Sequence, residues 1–228
     1  MGHRWDTLTF LHWRYEPAVV QALLPPGLRV EVRDGSAWVA LVPFVLEVTR
    51  PDRPPLPWLS RFAETNVRTY VTADDGSTGV WFLSLDAARL AAVLAAHATY
   101  CLPYFWSKMT VARVGDVMTY RARRRWPAPA GVSSEVAVRI GNAYAQSDLT
   151  DLDHWLTARF RLYSVHGCRA RFALASHAPW PLHRAEVLHL DDQLVAATGL
   201  PPPDGPPLVH WSPGVKVRVG ALRPVARA

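Results

Sequence analysis

Cysteine and lysine are scarce in this chain of 228 residues. The two cysteines, Cys101 and Cys168, are far apart and match neither a metal-ligand spacing nor a redox motif. We therefore expect two reduced thiols, no disulfide framework and no metal site. Lys108 and Lys216 are the two lysines among 25 basic residues, so the net charge of +6 comes from arginines scattered along the chain.

Long apolar runs are also missing. The most apolar stretch, Leu90 to Leu102, is well short of the roughly 20 residues that a membrane helix needs. Arg4, Asp6 and Arg14 interrupt the beginning of the chain, which argues against a secretory signal. Half of the residues are apolar and 19% are charged, a composition typical of a globular protein. We expect a cytoplasmic protein with one domain over residues 1–228 and no membrane partner.

The strong catalytic motifs are absent. There is no Gly-x-Ser-x-Gly elbow, phosphate-binding loop, Gly-x-Gly-x-x-Gly or His-Glu-x-x-His, so hydrolase, nucleotide and zinc chemistry lack their usual patterns and no cofactor is expected. The nine histidines are dispersed. His177, in Ser-His-Ala-Pro-Trp-Pro, is either bonded to a turn carbonyl or part of a binding site.

The pattern of residues predicts many short strands and two or three helices. Helices are predicted at Glu16–Pro25, at Asp86–Ala98 with Asp86 as its cap, and at Asp191–Thr198 before Gly199. Strands are predicted at Val30–Val32, Trp38–Phe44, Val67–Thr72, Val80–Ser84, Phe105–Val114, Val117–Arg125, Thr157–Val165, Cys168–Ser176 and Val215–Val219. The strands are separated by turns such as His166-Gly167 and by a proline-rich crossing from Pro51 to Pro57. A mostly antiparallel sheet closed into a barrel or cone fits this pattern, and an open α+β sandwich is the alternative.

Gly115 and Asp116 predict a two-residue hairpin turn. Antiparallel pairing would then place Val114 opposite Val117, Val111 opposite Tyr120 and Lys108 opposite Arg123. One face of this hairpin is apolar. The other face is cationic, and it either faces solvent or lines a polar cavity. These two faces carry Phe105, Met109, Val111, Met118, Tyr120 and Ala122, against Trp106, Lys108, Thr110, Thr119, Arg121 and Arg123.

Two further segments alternate polar and apolar residues. The even positions are polar in Glu64-Thr-Asn66-Val-Arg68-Thr-Tyr70, and the odd positions are polar in Thr157-Ala-Arg159-Phe-Arg161-Leu-Tyr163. Since side chains alternate along a strand, these segments could aim arginines and tyrosines at one lumen. Glu64 is then either an ion-pair partner of Arg68 or a general acid/base.

Five segments carry a family resemblance: Trp38–Phe44, Phe62–Val71, Gly79–Asp86, Leu102–Phe105 and His177–Leu182. Together they resemble the YqjF-like, DUF2071 family, which looks like a divergent branch of the acetoacetate decarboxylase superfamily. Their order and spacing match over nearly the whole chain. The resemblance implies a cone-shaped, mostly antiparallel barrel with a central cavity and two or three peripheral helices.

Acetoacetate decarboxylases carry a Pro-Lys-Lys motif in which one lysine forms a Schiff base and its neighbour lowers its pKa. The corresponding stretch here is Pro103-Tyr104-Phe105, without either lysine. Glu64 corresponds to a cavity carboxylate of the superfamily. Lys108 could replace the missing lysine if it points inward, with a pKa lowered by the facing arginines.

The leading hypothesis is a protein that binds a small organic molecule bearing a carbonyl or carboxylate. The expected ligand contacts are Arg68, Tyr70, Trp81, Tyr104, Arg121, Arg159 and His177. The first alternative is a Schiff-base lyase that uses Lys108, with Glu64 as acid/base. The second is a nucleic-acid or protein surface built on the cluster from Arg121 to Arg125, although no nucleic-acid-binding motif accompanies it.

Overall fold

The computed structural model describes residues 2–49, 60–166 and 169–225, which form one sheet of thirteen strands with three short α-helices. The strands are β1 Gly2–Tyr15, β2 Leu28–Val30, β3 Ala37–Thr49, β4 Arg61–Ala73, β5 Thr78–Ala87, β6 Tyr104–Val114, β7 Val117–Trp126, β8 Ser133–Ala143, β9 Arg161–His166, β10 Arg169–His177, β11 His183–Asp192, β12 Leu208–Val219 and β13 Arg223–Pro224. The helices are α1 Pro17–Gln21, α2 Leu90–Tyr100 and α3 Asp151–Thr157.

The strand pairings close the sheet on itself twice. In the first ring, β1, β3, β4, β5, β9, β10 and β12 pair in the cyclic order β1-β3-β4-β5-β9-β10-β12. The second ring continues from β5 through β6, β7, β8 and β11 back to β12, and it shares the wall β12-β1-β3-β4-β5 with the first. Closure removes exposed strand edges from most of the sheet.

Both faces of the shared wall are buried. In β3, the even-numbered Val42, Phe44 and Leu46 pack inside the first ring, while the odd-numbered Val39 and Leu41 pack inside the second. A strand that is buried on both faces needs a continuous apolar run rather than alternation, as Ala37 to Leu46 provides. This is why the stretch carries no polar residue.

A bulge in β1 changes which residues face the first ring. Thr7 has a positive φ of 46°, and the β1–β3 register shifts between Asp6 and Leu11. An inserted residue reverses the side-chain alternation beyond it. As a result, Trp5 before the bulge and Leu8 after it line the same cavity despite their opposite parity.

The predicted fold is confirmed: the sheet is mostly antiparallel, nearly closed, and accompanied by three helices. The β5–β6 and β5–β9 pairs are the parallel ones among the described strands. The hairpin of β6 and β7 has the predicted register, with Val114 opposite Val117 and Lys108 opposite Arg123. Its apolar and cationic faces separate as predicted between Lys108 and Arg123, whereas Trp106, beyond a register shift, packs against the core of the first ring.

Three predicted elements need correction. Asp86 lies in β5 and does not cap a helix, because Arg124 and Ser107 bind its carboxylate. The helix after it begins at Leu90. The predicted helix Asp191–Thr198 is instead the end of β11 followed by a 3-10 turn at Ala196–Thr198.

The third correction concerns the strand predicted to begin at Thr157: this residue instead ends α3. A capping box between Thr150 and Asp153 fixes the other end of this helix.

The proline-rich crossing from Pro51 to Pro57, the turn at Gly167 and the thiol of Cys168 lie outside the described residues. In the described part of the chain, no helix combines the length and the apolar character that a bilayer crossing requires.

Candidate functional site: a polar row in an apolar cavity

A cavity of about 310 Å³ lies inside the first ring, with α2 along one side. Most of its wall is apolar. This volume is at the lower end of the range typical of small-molecule sites. The apolar wall includes Phe44, Leu46, Phe62, Val80, Phe82 and Leu85.

Three polar residues of β4 form a row along this wall: Glu64, Asn66 and Arg68. They face the cavity because β4 turns its even-numbered side chains towards the first ring, while Val67 packs in the second. All three residues are buried. The side-chain oxygen Oδ1 of Asn66 is buried without a hydrogen-bond partner. Buried polar atoms are normally satisfied, so this unpartnered oxygen is an exception in the cavity wall.

Arg68 is a buried cation without a carboxylate beside it. The residue is 7% exposed, and its Nε is buried without a partner. None of the ion pairs found within residues 2–49, 60–166 and 169–225 involves it. Its guanidinium carbon lies 5.4 Å from the ring centre of Phe10 and 6.0 Å from that of Tyr70. Cation–π contacts of this kind compensate only part of the cost of burying a charge.

Arg159 contrasts with Arg68 in the same cavity. Its guanidinium donates to both carboxylate oxygens of Glu31, at 2.7 and 3.3 Å, and its Nε donates to the carbonyl of Trp155. Arg159 therefore lines the cavity as predicted, with its charge paired to Glu31 within the protein.

Tyr70, a predicted ligand contact, follows Arg68 on the same side of β4 but is buried in the core of the first ring and does not line the cavity. Its hydroxyl donates to the carbonyl of Leu156 at 2.9 Å, so it accepts the hydrogen bond from Nε2 of His12 at 2.7 Å. His12 therefore carries its proton on Nε2. Burial lowers the pKa of His12 well below its usual value, and the charges of Arg68 and His210 lower it further. A neutral imidazole here leaves Arg68 as the nearby positive charge.

Glu64 is held as a carboxylic acid at neutral pH. Burial raises its pKa to about 8, against the opposing effect of the hydrogen bond from Tyr104, and the charge of Asp86 raises it further. The Tyr104 hydroxyl donates to Oε2 of Glu64 at 3.1 Å. A protonated buried carboxyl can donate a hydrogen bond to a neutral acceptor or act as an acid.

One side of the cavity is lined by α2. Ala92, Ala96 and Tyr100 of this helix face the cavity, and the two alanines leave room beside the helix. The Tyr100 hydroxyl donates to the carbonyl of Gly220, which joins α2 to the end of β12.

Several predicted site residues lie away from the cavity. Lys108 is exposed on the outer face of the β6–β7 hairpin, so the structure does not bring it to Glu64. Arg121 is on the same outer face, paired with Glu135 at 2.7 Å. Trp81 packs beside Tyr163 on the side of β5 that faces away from the first ring. Strand alternation is the reason in each case.

His177 lies behind the cavity wall. Its Nδ1 is 2.7 Å from the carbonyl of Ala178, and its ring packs against Trp5, Phe160 and Trp180. This is the turn-carbonyl arrangement that the sequence allowed as one of two interpretations.

The predicted arginine cluster is divided between two environments. Arg123 and Arg125 are exposed, whereas Arg124 is buried and bound to Asp86. Arg121 already has Glu135 as its partner. The cluster does not form one continuous cationic surface. The described residues also contain no group of three His, Cys, Asp or Glu side chains close enough to hold a metal ion.

Asn66, Trp5 and Tyr100 are cavity residues that the sequence prediction missed. Asn66 stood in the polar alternation that identified Glu64 and Arg68, so that pattern could have found it. Trp5 was missed because no strand was predicted over Gly2–Tyr15, and the bulge at Thr7 would have reversed the alternation there.

The fold is shared with acetoacetate decarboxylase-like proteins. The enduracididine biosynthesis enzyme MppR, in a structure complexed with pyruvate, has a TM-score of 0.65 at 14% identity, with 99% of this chain and 90% of that chain covered. An acetoacetate decarboxylase-like enzyme from Sphingomonas wittichii RW1 also has a TM-score of 0.65, at 15% identity, with 99% of this chain and 92% of that chain covered. At these identities the likeness shows the fold alone.

Sequence comparison defines the family more closely. The model of DUF2071, described as an uncharacterized conserved protein, matches residues 2–216. The uncharacterized protein YqjF of Bacillus subtilis strain 168 is 33% identical over 224 residues, which cover 98% of this chain and 91% of that protein. The chain belongs to the DUF2071 family.

Proposed function

We propose that the protein binds a small organic carboxylate with an apolar body in the cavity of the first ring, and that Arg68 binds the carboxylate. The observation that carries this proposal is the buried guanidinium of Arg68, which has no acidic partner among the described residues. A buried charge without a counter-ion is costly. A carboxylate ligand supplies the counter-ion and two acceptor oxygens that match the guanidinium.

The rest of the cavity supports an apolar ligand body. Aromatic and aliphatic side chains from β3, β4 and β5 surround the polar row. Burying a ligand methylene among them contributes about 0.8 kcal/mol. MppR, which shares the fold, has been seen with pyruvate, a carboxylate with a carbonyl group.

Schiff-base chemistry has less support. A Schiff base needs a neutral, desolvated amine next to the ligand. Both lysines of the chain, Lys108 and Lys216, are exposed, and neither lines the cavity. The nucleic-acid alternative has no supporting observation either, since the cluster from Arg121 to Arg125 is partly buried and partly paired.

Titration calorimetry with heptanoate tests the proposal. We expect heptanoate to bind the wild-type protein, and Arg68→Met to weaken binding about 10- to 100-fold, the scale of a charge-assisted hydrogen bond. The matched control is Arg123→Met, which removes an exposed guanidinium outside the cavity and should leave the Kd unchanged. Equal binding by wild-type protein and Arg68→Met, or equal binding of heptanoate and heptylamine, would refute the proposal.

A further inference from the structure

Two buried ionisable groups of the cavity wall, Arg68 and Glu64, have no oppositely charged partner among the described residues. The side chain of Glu64 accepts a hydrogen bond of 3.1 Å from the hydroxyl of Tyr104, which is a neutral donor. A buried carboxyl without a cation beside it is favoured in its protonated form, because desolvation penalises the charge. An arginine cannot lose its proton in the same way. The pair therefore presents a cation and a neutral acid to the cavity.

The other ionisable residues of this wall do not change the balance of charge. Arg159 is paired with Glu31. The guanidinium of Arg161 lies over the ring of Phe172, which packs outside the first ring. Burial lowers the pKa of His3 to about 4, so its ring is neutral at pH 7. Within the described part of the wall, the uncompensated charge is that of Arg68.

The groups that face Glu64 come from three other elements. Tyr104 lies on β6, and burial keeps its pKa well above its usual value. Asp86 on β5 is bound to Arg124. Tyr100 of α2 lies beside Tyr104. Burial raises the pKa of Glu64 to about 8, so Glu64 is the carboxyl of this set that changes charge in that range.

We infer that the cavity holds one negative charge at a time, so that its ligands are monocarboxylates and Glu64 keeps its proton while one is bound. This inference rests on the proposed function and specifies the substrate class and the regulation of the same site. One carboxylate neutralises Arg68. A second carboxylate, whether on the ligand or on Glu64, would be a buried anion without a counter-ion. Dicarboxylates are therefore selected against by charge rather than by size.

The register of β4 gives the scale of the repulsion between the two anions. Glu64 and Arg68 are four residues apart on the same side of the strand, about 13 Å between Cα atoms at about 3.3 Å per residue. A carboxylate on Arg68 is then on the order of 10 Å from Glu64. With an effective dielectric constant of about 20, charges at that distance change each other's binding constants by roughly 10-fold. The coupling is reciprocal, so a bound carboxylate raises the proton affinity of Glu64.

The first test compares glutarate with its monoamide, glutaramate, at pH 7, each in competition with heptanoate in titration calorimetry. The two ligands have equal length and two polar ends, and they differ by one negative charge. We expect glutaramate to bind about 10-fold tighter than glutarate, and Arg68→Met to weaken the binding of both. Equal binding of the two ligands would show that the cavity accepts a second negative charge and would overturn the inference.

The second test measures heptanoate binding at pH 7 and 9.5. We expect the Kd to be about 10-fold higher at pH 9.5, where Glu64 is ionised before the ligand binds. Near pH 8.5, binding should take up about half a proton, measured from the heat of binding in buffers of different ionisation enthalpy. Glu64→Gln should bind with one Kd at both pH values and take up no proton. The matched control is Glu186→Gln, which removes an exposed carboxylate outside the cavity and should behave as the wild type.

The outcomes separate this inference from the proposed function. If heptanoate binds through Arg68 with the same Kd at pH 7 and 9.5, or if its pH dependence persists in Glu64→Gln, the inference is wrong while the proposed function stands. If heptanoate does not bind, or binds equally well to Arg68→Met, both are overturned.

Discussion

Arg124 on β7 binds both carboxylate oxygens of Asp86 on β5, at 3.0 and 2.7 Å, with both side chains excluded from solvent. Ser107 on β6 donates to the same carboxylate, and the guanidinium of Arg124 stacks on the ring of Phe105. These contacts join the three strands where the second ring leaves the first.

We predict that Arg124→Met lowers the free energy of unfolding by about 3–5 kcal/mol, because it leaves the Asp86 carboxylate buried without a partner. The double variant Asp86→Leu/Arg124→Met should recover most of that loss. Urea denaturation measures both, and Arg123→Met, on the exposed face of the same strand, is the control. A double variant as unstable as the single would contradict the explanation.

Glu64 should make stability depend on pH. Its pKa is about 8 in the folded protein, against an ordinary value of 4.5, so the folded state holds the proton more tightly. This stabilisation is complete below pH 4.5 and is lost as the pH rises to about 8, by on the order of 1 kcal/mol per pH unit. Unfolding free energies of wild-type protein and Glu64→Gln from pH 5 to 8 measure the effect. Parallel curves for the two proteins would show that the shift is absent.

The unpaired charge of Arg68 should destabilise the folded protein in the absence of ligand. We predict that Arg68→Met raises the unfolding free energy of the ligand-free protein by about 1–3 kcal/mol, since an apolar side chain of similar length avoids burying an unpaired charge. A gain in stability with a loss of binding is typical of a functional site. Thermal and urea denaturation without ligand provide the measurement. A strongly destabilised variant would instead indicate a structural role for the guanidinium.

Lys108 should not form a Schiff base. Its side chain is exposed outside the cavity, and Pro103-Tyr104-Phe105 replaces the lysine motif of acetoacetate decarboxylases. We expect no adduct after borohydride treatment with acetoacetate or pyruvate, measured by mass spectrometry of the peptides. A substrate-sized mass increment on the Lys108 peptide, absent in Lys108→Ala, would reverse this prediction.

The sequence predicted the architecture because local patterns and family spacing agree with it. The Gly115-Asp116 turn fixed the register of the β6–β7 hairpin, and the alternation from Glu64 to Tyr70 identified the polar side of β4. Long-range contacts decided what the sequence could not show. Asp86 resembles a helix cap locally, yet Arg124, far along the chain, binds its carboxylate in a strand.

The sequence predicted only part of the candidate site, because long-range contacts also decide which faces are enclosed. Alternation tells which residues share a face, but not whether that face lines a cavity or meets solvent. Glu64 and Arg68 lie on a wall shared by two rings, so their polar face is enclosed. Lys108 and Arg121 lie on the β6–β7 pair, which belongs to the second ring alone, so their polar face is exposed to solvent.

A crystal structure of the protein with heptanoate tests the central claim most directly. We predict that the carboxylate oxygens lie within about 3 Å of the Arg68 guanidinium nitrogens, the distance of a charge-assisted hydrogen bond, with the alkyl chain pointing towards Phe62 and α2. A heptanoate bound in the reverse direction, with its carboxylate beside α2 and its chain against Arg68, would contradict the account.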